Sequence, residues 1–157
     1  MKKTLIAAVL IMLAASLVFA GGKKETPATQ ENKTFHIGIV TGTVSQSEDD
    51  LRGAEELIKR YGKASEGGMI QHITYPDDFM SQQETTISQI VALADDPLMK
   101  AIVVNQAVPG TTEAFKRVKE KRSDILCFAG EPHEDPGVIQ TTADLAEIGR
   151  ASCRERV

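Results

Sequence analysis

The chain has 157 residues, in which 18 Lys and Arg are outweighed by 22 Asp and Glu, for a net charge of −4. This length is sufficient for one domain with a substantial core, and the composition is ordinary for a water-soluble protein. An acidic chain is a poor nucleic-acid binder, because phosphate backbones select surfaces rich in Lys and Arg.

The first 20 residues are typical of a secretion signal. Lys2 and Lys3 precede the apolar run "TLIAAVLIMLAASLVF", which leads to small residues suited to cleavage after Ala20. We therefore predict export to the periplasm or the extracellular space. The alternative is a retained membrane anchor, because the run approaches the minimum spanning length of about 17 residues. Gly21 stands where lipidation would require a cysteine, so no lipid anchor is expected at this site.

Residues 21–33, "GGKKETPATQENK", contain no apolar side chain larger than Ala or Pro. They cannot bury a hydrophobic surface and are predicted to form a flexible tether. The folded part is expected to begin near Thr34 and to extend over residues 34–147.

The first βα unit follows directly. "FHIGIV" (Phe35–Val40) predicts a buried strand and "TGTVSQS" a polar loop. Ser47 is a candidate cap for the helix that follows, in which Glu48, Asp49 and Asp50 occupy the first turn. The helix carries an apolar stripe that is expected to pack on a sheet: Leu51, Ala54, Leu57 and Ile58.

Two further units repeat the pattern. "MIQHITYP" (Met69–Pro76) predicts the second strand, and Ser81 with Glu84 matches the capping box of a helix that ends near Asp95. "AIVV" (Ala101–Val104) predicts a strand buried on both faces. "TTEAFKRVKEKRSD" predicts the third helix. The apolar residues expected to face inward are Ile87, Ile90, Val91, Ala94, Ala114, Phe115 and Val118.

The last predicted strands are "ILCFAG" (Ile125–Gly130) and "VIQTT" (Val138–Thr142), separated by the polar loop "EPHEDPG". The order β-α-β-α-β-α-β-β predicts an α/β fold, a parallel doubly wound sheet with flanking helices.

In such sheets, ligands bind outside the carboxyl ends of the strands. Four loops lie there: Thr41–Ser47, Tyr75–Met80, Asn105–Gly110 and Glu131–Gly137. The alternative is that their polar residues only build the loops. The candidate ligand-binding residues are Thr41, Thr43, Ser45, Gln46, Asn105, Gln106 and Glu131.

The chemistry of the expected ligand follows from the loop residues. Three acidic residues at the start of the first helix disfavour an anion and favour a neutral or cationic polar ligand. The chain has no Trp, and only Tyr75 and Phe79 could stack on a sugar, so a stacked sugar is not favoured.

Neither a metal nor a cofactor is expected. The residues of "EPHEDPG" (Glu131–Gly137) are adjacent in the chain and rarely converge on one ion, so a solvated loop is preferred to a metal site. His36 and His72 lie within strands and are expected to be structural. "TGTVSQS" faintly resembles the phosphate loop of flavodoxins, but the acidic helix start opposes a phosphate. The chain carries no G-x-S-x-G, Walker or G-x-G-x-x-G motif, so it is not expected to be an enzyme.

The segments "FHIGIVTGTVSQSEDDLRGAEELIKRYG", "ISQIVALADDPLMKAIVVNQAVPGTTEAFKRVKEK" and "ILCFAGEP" with "VIQTTAD" resemble the first lobe of type I periplasmic solute-binding proteins, the ribose-binding and lac-repressor-like group. Phe35 to Asp144 is still more similar to an uncharacterised secreted bacterial family with this fold. The resemblance implies an exported solute receptor that traps a small ligand between two lobes and passes it to a membrane transporter. A sensory module for a membrane receptor is the alternative, and a flavodoxin-like enzyme a third.

The last ten residues, "IGRASCRERV" (Ile148–Val157), resemble the translation of a common sequencing adaptor and are expected to be non-native; the alternative is a charged surface end. Without residues 1–20 and 148–157 the chain has 13 Lys and Arg against 21 Asp and Glu, a net charge of −8. Cys127 then remains as a single cysteine, expected to be a buried thiol without a disulfide to Cys153.

Overall fold

The structure is a computed structural model and describes residues 34–147. The predicted signal, the tether and the tail at 148–157 lie outside these residues. Among the residues that are described, no helix has the length and apolar character needed to cross a bilayer.

The elements alternate along the chain as the sequence predicts. The five strands are β1 (His36–Thr41), β2 (Ile70–Thr74), β3 (Met99–Val104), β4 (Leu126–Gly130) and β5 (Leu145–Glu147). The helices are α1 (Val44–Tyr61), α2 (Gln83–Leu93), α3 (Thr111–Lys121) and the single turn α4 (Pro136–Ile139), with a 3₁₀ turn at Ala64–Glu66.

All five strands pair in parallel, in the order β2-β1-β3-β4-β5. The predicted α/β fold with a parallel sheet and flanking helices is therefore confirmed. The chain moves from β1 to β2 on one side and then to β3 on the other. The direction of the connections thus reverses at β1, and the carboxyl ends of β1 and β3 flank the crevice that this reversal creates.

The main core lies between the sheet and helices α2 and α3. Ile102 and Val104 of β3 are fully buried there, together with Ile90 of α2 and Phe115 of α3. Burial of each such side chain stabilises the fold by roughly 1.5–3 kcal/mol relative to its exposure. The apolar stripes predicted for these two helices face inward, as expected.

Helix α1 covers the opposite face of the sheet, over β1 and β2. Ala54 is fully buried against Ile39 and Ile70, and Ile58 packs at the margin of this smaller cluster. Leu57, predicted to point inward, is 38 % exposed. Only part of the apolar stripe predicted for α1 is therefore buried against the sheet.

The start of α1 is interrupted at Ser47, whose φ and ψ are −158° and 88°. Its hydroxyl donates a hydrogen bond to Asp50 Oδ2 at 2.6 Å. The long segment of the helix therefore begins after Ser47, where the sequence predicts it, and a short extra turn at Val44 precedes it.

The predicted capping box at Ser81 and Glu84 is wrong. Helix α2 begins at Gln83, and the Ser81 hydroxyl donates to Asp78 instead. Glu84 pairs with Arg117 of α3, with 2.6 Å between Oε1 and Nη1. The Glu84 carboxylate is thus paired with Arg117 on the neighbouring helix, whereas in a capping box it would accept a hydrogen bond from a backbone N–H of its own helix.

The predicted strand at 138–142 is also wrong. Residues 136–139 form α4, and the strand comes later, at β5. The Thr141 hydroxyl donates to the Val138 carbonyl at 2.6 Å and the Thr142 hydroxyl donates to the Ile139 carbonyl at 3.1 Å. These local bonds satisfy backbone carbonyls within a turn and so compete with strand pairing.

Candidate functional site

Polar side chains from two loops meet at the carboxyl end of β1. The hydroxyls of Thr43 and Ser45 both donate to Oδ1 of Asp77, which follows β2, and the Ser45 distance is 2.6 Å. The Gln46 side-chain amide donates to the Asp77 carbonyl at 2.8 Å. We call Thr43, Ser45, Gln46 and Asp77 the polar cluster. It joins the loops after β1 and β2 at the rim of the crevice.

The cluster carries a fixed negative charge. The Ser45 and Thr43 hydroxyls hold the pKa of the Asp77 carboxyl below its usual value, because they donate to its ionised form. Asp77 and Ser45 are exposed. The polar cluster therefore presents an ionised carboxylate with two hydroxyls oriented around it.

A second contact joins the loop after β2 to the loop after β3. The buried Tyr75 hydroxyl donates to Gln106 Oε1 at 3.0 Å, and the Tyr75 ring meets the Phe79 ring edge-on, with centroids 5.6 Å apart. Burial and the nearby Asp50 carboxylate raise the pKa of Tyr75 to about 12. Tyr75 is 1 % exposed, so it supports the crevice and offers no free face for stacking on a sugar.

Gly42 allows this close packing. A Cβ at position 42 would lie 2.7 Å from Gln46 Cβ and 3.0 Å from the Tyr75 hydroxyl oxygen. A larger residue would separate the polar cluster from the Tyr75–Gln106 contact.

The N-terminus of α3 also opens at this edge, and a carboxylate of the protein already occupies it. Glu134 accepts hydrogen bonds from the backbone N–H groups of Gly110 and Thr112, at 2.7 and 2.9 Å, and from the Thr112 hydroxyl. A carboxylate in this position is stabilised by the helix dipole. The prediction that Glu134 belongs to a merely solvated loop is therefore wrong, and its capping role leaves no vacant anion site on α3.

The structure brings the other predicted ligand residues to the same edge with different roles. Asn105 is exposed at the end of β3, and its backbone carbonyl lies against Gly130. Thr41 is buried, and its hydroxyl contacts the Gly42 carbonyl and His72 Nε2, each at 2.9 Å. Glu131 is exposed after β4 in a left-handed conformation, with φ at 40°. Neither Thr41 nor Glu131 shares a side-chain hydrogen bond with the polar cluster in the part of the chain that is described.

Within residues 34–147, the remaining titratable candidates share no hydrogen bond with the polar cluster. His36 Nδ1 lies 2.5 Å from Asp96 Oδ2, at the opposite end of β1 from the crevice. Burial lowers the pKa of His72, against an opposing effect of Glu55. Cys127 is a buried free thiol whose pKa is raised to about 11, first by burial. Within residues 34–147, no group of three His, Cys, Asp or Glu side chains is arranged to hold a metal ion.

Sequence reasoning missed Asp77 as a member of the site. The signal available was its position, since "TYPDDF" places two acidic residues directly after the carboxyl end of a predicted strand. The hydroxyls that bind it come from more than 30 residues earlier in the chain. Only the alignment of β1 beside β2 brings the two loops together.

Two proteins of Treponema pallidum (strain Nichols), both described as uncharacterized, are similar in sequence. One is 43 % identical over 140 residues, which are 86 % of this chain and 63 % of the relative. The other is 54 % identical over 56 residues, which are 36 % of this chain and 26 % of that protein. The chain thus spans less than two thirds of the length of the relatives it matches.

A crystal structure of a proposed transcriptional regulator from Clostridium difficile 630 has a similar fold. The TM-score is 0.65 at 30 % sequence identity, over 72 % of this chain and 33 % of the regulator. Residues 35–152 match the profile of a family described as "Protein of unknown function (DUF3798)", and these residues are well over half of the chain. The chain belongs to the DUF3798 family.

Proposed function

We propose that this chain is an exported binding protein that holds a small polar ligand, neutral or cationic, at the carboxyl edge of its sheet. The observation that carries the proposal is the polar cluster. Its hydroxyls and carboxylate converge at the carboxyl ends of β1 and β2, on one side of the crevice between β1 and β3, and Tyr75 joins the same β2 loop to Gln106 after β3. Crevices at this point are the usual ligand sites of open α/β sheets.

The charge distribution supports the choice of ligand. Glu134 already satisfies the N-terminus of α3, and Asp50, in the early turns of α1, accepts the Ser47 hydroxyl. Asp77 adds an ionised carboxylate in the loop after β2. A phosphate or a carboxylate ligand would be repelled here, whereas an ammonium group or a hydroxyl donor would gain charge-assisted hydrogen bonds.

The proposed role is delivery of the ligand to a membrane transporter from the periplasm or the extracellular space. The signal-like sequence at residues 1–20 and the resemblance to periplasmic solute-binding proteins support it. In two-lobe binding proteins, closure desolvates the ligand and adds contacts from the second side.

A sensory role is the second candidate. It is favoured by the similarity to a structure described as a proposed transcriptional regulator, since a regulatory role is compatible with sensing a ligand. Neighbouring genes would separate the two roles, because a permease and an ATPase indicate transport whereas a histidine kinase indicates sensing.

We propose no catalytic activity and no cofactor. The Thr41 hydroxyl contacts the His72 imidazole, but Thr41 is 1 % exposed and a substrate would not reach it. The exposed hydroxyls of the polar cluster are oriented by a carboxylate rather than by a base suited to activating them.

Isothermal titration tests the proposal, with ribose, adenosine, lysine, spermidine and inorganic phosphate titrated into this chain and into the Treponema relative. We expect heat from neutral or cationic compounds and none from phosphate. Asp77→Asn and Thr43→Ala should weaken that binding with little loss of stability, because crevice polar groups specify more than they support. Ser65→Ala, an exposed serine in the 3₁₀ turn, is the control. Binding of phosphate in preference to the amines, or equal affinity in all three variants, would contradict the proposed site.

A further inference from the structure

The hydroxyl of Tyr75 connects the two sides of the crevice. Tyr75 is buried, and its hydroxyl donates to Gln106 Oε1 at 3.0 Å, in the loop after β3. The same oxygen lies 3.0 Å from the place where a Cβ at Gly42 would stand, in the loop after β1. The chain after Tyr75 continues through Pro76 to Asp77 of the polar cluster. One buried side chain therefore contacts the loops on both sides of the crevice.

The hydrogen bond between Tyr75 and Gln106 has a definite direction. A buried hydroxyl proton without an acceptor carries the full desolvation penalty of that group, and among the described residues Gln106 Oε1 is the acceptor that the Tyr75 hydroxyl reaches. The pKa of Tyr75 is raised to about 12, so the phenol keeps its proton at neutral pH. The oxygen of the Gln106 amide therefore faces Tyr75, and the amide nitrogen points away from that hydroxyl.

The nitrogen of the Gln106 amide is open to a ligand. No hydrogen bond holds Nε2 within residues 34–147, and the sole buried polar side-chain atom without a partner in that range is Gln89 Oε1. Since Gln106 is half-buried, its Nε2 must reach solvent. The β3 side of the crevice thus presents two N–H donors that Tyr75 holds in place.

The opposite side of the crevice offers acceptors. Thr43 and Ser45 each have one hydroxyl proton, and each hydroxyl donates it to Asp77 Oδ1. Asp77 Oδ2 accepts no hydrogen bond in the described part of the chain, and the lone pairs of the two hydroxyls also remain. An ammonium group has three N–H donors, so it matches this side better than a single hydroxyl does.

The N–H groups of Gln106 favour an uncharged oxygen over an anion. A carboxylate or a phosphate would be repelled by the carboxylates of Asp77 and Glu134, whereas a carbonyl oxygen accepts from an amide N–H without that repulsion. An anion would also find no cationic partner, because Lys and Arg are absent from all four loops at this edge: Thr41–Ser47, Tyr75–Met80, Asn105–Gly110 and Glu131–Gly137.

We propose that Tyr75 is a positioning residue that sets the ligand class of the crevice. It holds the Gln106 amide with its NH₂ group toward the crevice, so that the site takes a molecule with an ammonium group at one end and an uncharged oxygen acceptor at the other. An α-amino amide is the simplest compound of this class. The inference rests on the proposed binding function and deepens it.

The orientation of the amide is tested first, without a ligand, by NMR relaxation of the Gln106 side-chain nitrogen in the full chain. We expect an order parameter close to the rigid-backbone value of about 0.85, and a value below about 0.6 in Tyr75→Phe, because the amide then loses its partner. Tyr61→Phe, at a 46 % exposed tyrosine that ends α1, is the matched control and should leave the order parameter unchanged. A mobile Gln106 amide in the wild type would overturn the inference.

The ligand class is tested with three compounds that differ at one group: leucinamide, isopentylamine, which lacks the carboxamide, and leucine, in which a carboxylate replaces it. Each is titrated into the full chain and followed by NMR at about pH 6, where the amino groups are protonated. We expect leucinamide to bind at least tenfold more tightly than either of the others. Its preference over isopentylamine should fall below threefold in Tyr75→Phe and in Gln106→Met, and should persist in Tyr61→Phe.

The outcomes separate this inference from the proposed function. Equal wild-type affinity for leucinamide and isopentylamine, or a preference that Tyr75→Phe and Gln106→Met both retain, would overturn the inference and leave the proposed binding of cations intact. Tighter binding of leucine would overturn it as well. Failure of all three compounds to bind would overturn the inference, and would contradict the proposed function only if ribose, adenosine, lysine and spermidine also failed.

Discussion

The exit loops of β3 and β4 touch so closely at Gly130 that a single added methyl group should disturb the crevice. A Cβ at Gly130 would lie 2.4 Å from the Asn105 carbonyl oxygen and 3.3 Å from its carbonyl carbon. Neither backbone is free to yield, because Asn105 N–H donates to the Val40 carbonyl at 3.0 Å and Ala107 N–H donates to the Gly130 carbonyl at 2.9 Å. A relaxed carbon–oxygen contact is about 3.3–3.6 Å, so Gly130→Ala must separate the two loops by roughly 1 Å.

The expected cost is that of overpacking a rigid site, about 1–3 kcal/mol of the free energy of unfolding. Gly53→Ala is the matched control, because a Cβ at Gly53, on the exposed side of α1, meets nothing within 4 Å. Alanine in a helix is more favourable than glycine by roughly 0.5–1 kcal/mol, so Gly53→Ala should stabilise the protein. The two variants should therefore differ by about 1.5–4 kcal/mol.

Urea denaturation followed by circular dichroism measures this difference, provided that the denaturant slopes of both variants match that of the wild type. Ligand affinity should fall in Gly130→Ala, because Asn105 moves. A Gly130→Ala midpoint at or above that of the wild type would refute the close approach of the two loops.

Three further positions test two contacts at the crevice, made by Tyr75 and Glu134, and one near the amino end of β4, made by Asp144. Tyr75→Phe removes the hydrogen bond to Gln106 and should cost about 0.5–1.5 kcal/mol in thermal or urea unfolding; an unchanged midpoint would show that this contact does not stabilise the fold. Glu134→Ala exposes two backbone N–H groups at the start of α3 and should cost about 1 kcal/mol, with Glu134→Gln recovering part of it. Burial alone would raise the pKa of the Asp144 carboxyl, but the Lys119 ammonium and a backbone N–H hold it below 3.8. The stability that ionised Asp144 contributes is therefore present above about pH 4 and is lost as the pH falls further. Asp144→Asn should be less stable at pH 7 and its stability should change less in acid; an unchanged pH profile of stability would contradict this.

The fold could be predicted because the spacing of apolar residues indicates which face of each helix packs on the sheet. The apolar positions of α2 and α3 recur at helical spacing, and each of those two helices packs on the sheet through the predicted face. Prediction failed where local polar bonds decided the structure. Thr141 and Thr142 turn their hydroxyls back onto α4, and a sequence of strand-forming residues cannot show that this turn is preferred to pairing.

The edge of the sheet that holds the candidate site follows from the predicted strand order, whereas the charge of the polar cluster could not be predicted from the sequence alone. The carboxyl ends of parallel strands all lie at one edge of the sheet. Thr43, Ser45 and Asn105 follow such strands, so they were expected at the same edge regardless of their side-chain contacts. The partners of those side chains depend on contacts between loops that lie far apart in the chain.

Those contacts determine the charge at the candidate site. Asp77 reaches the hydroxyls after β1, and Glu134 reaches the N-terminus of α3 from more than 20 residues away. Each carboxylate occupies a position where an anionic ligand would otherwise be stabilised by hydroxyl or backbone donors. The sequence alone supported exclusion of anions only at the start of α1. The structure adds a carboxylate at the N-terminus of α3 and another in the loop after β2, so the proposed site carries negative charge beyond that at the start of α1.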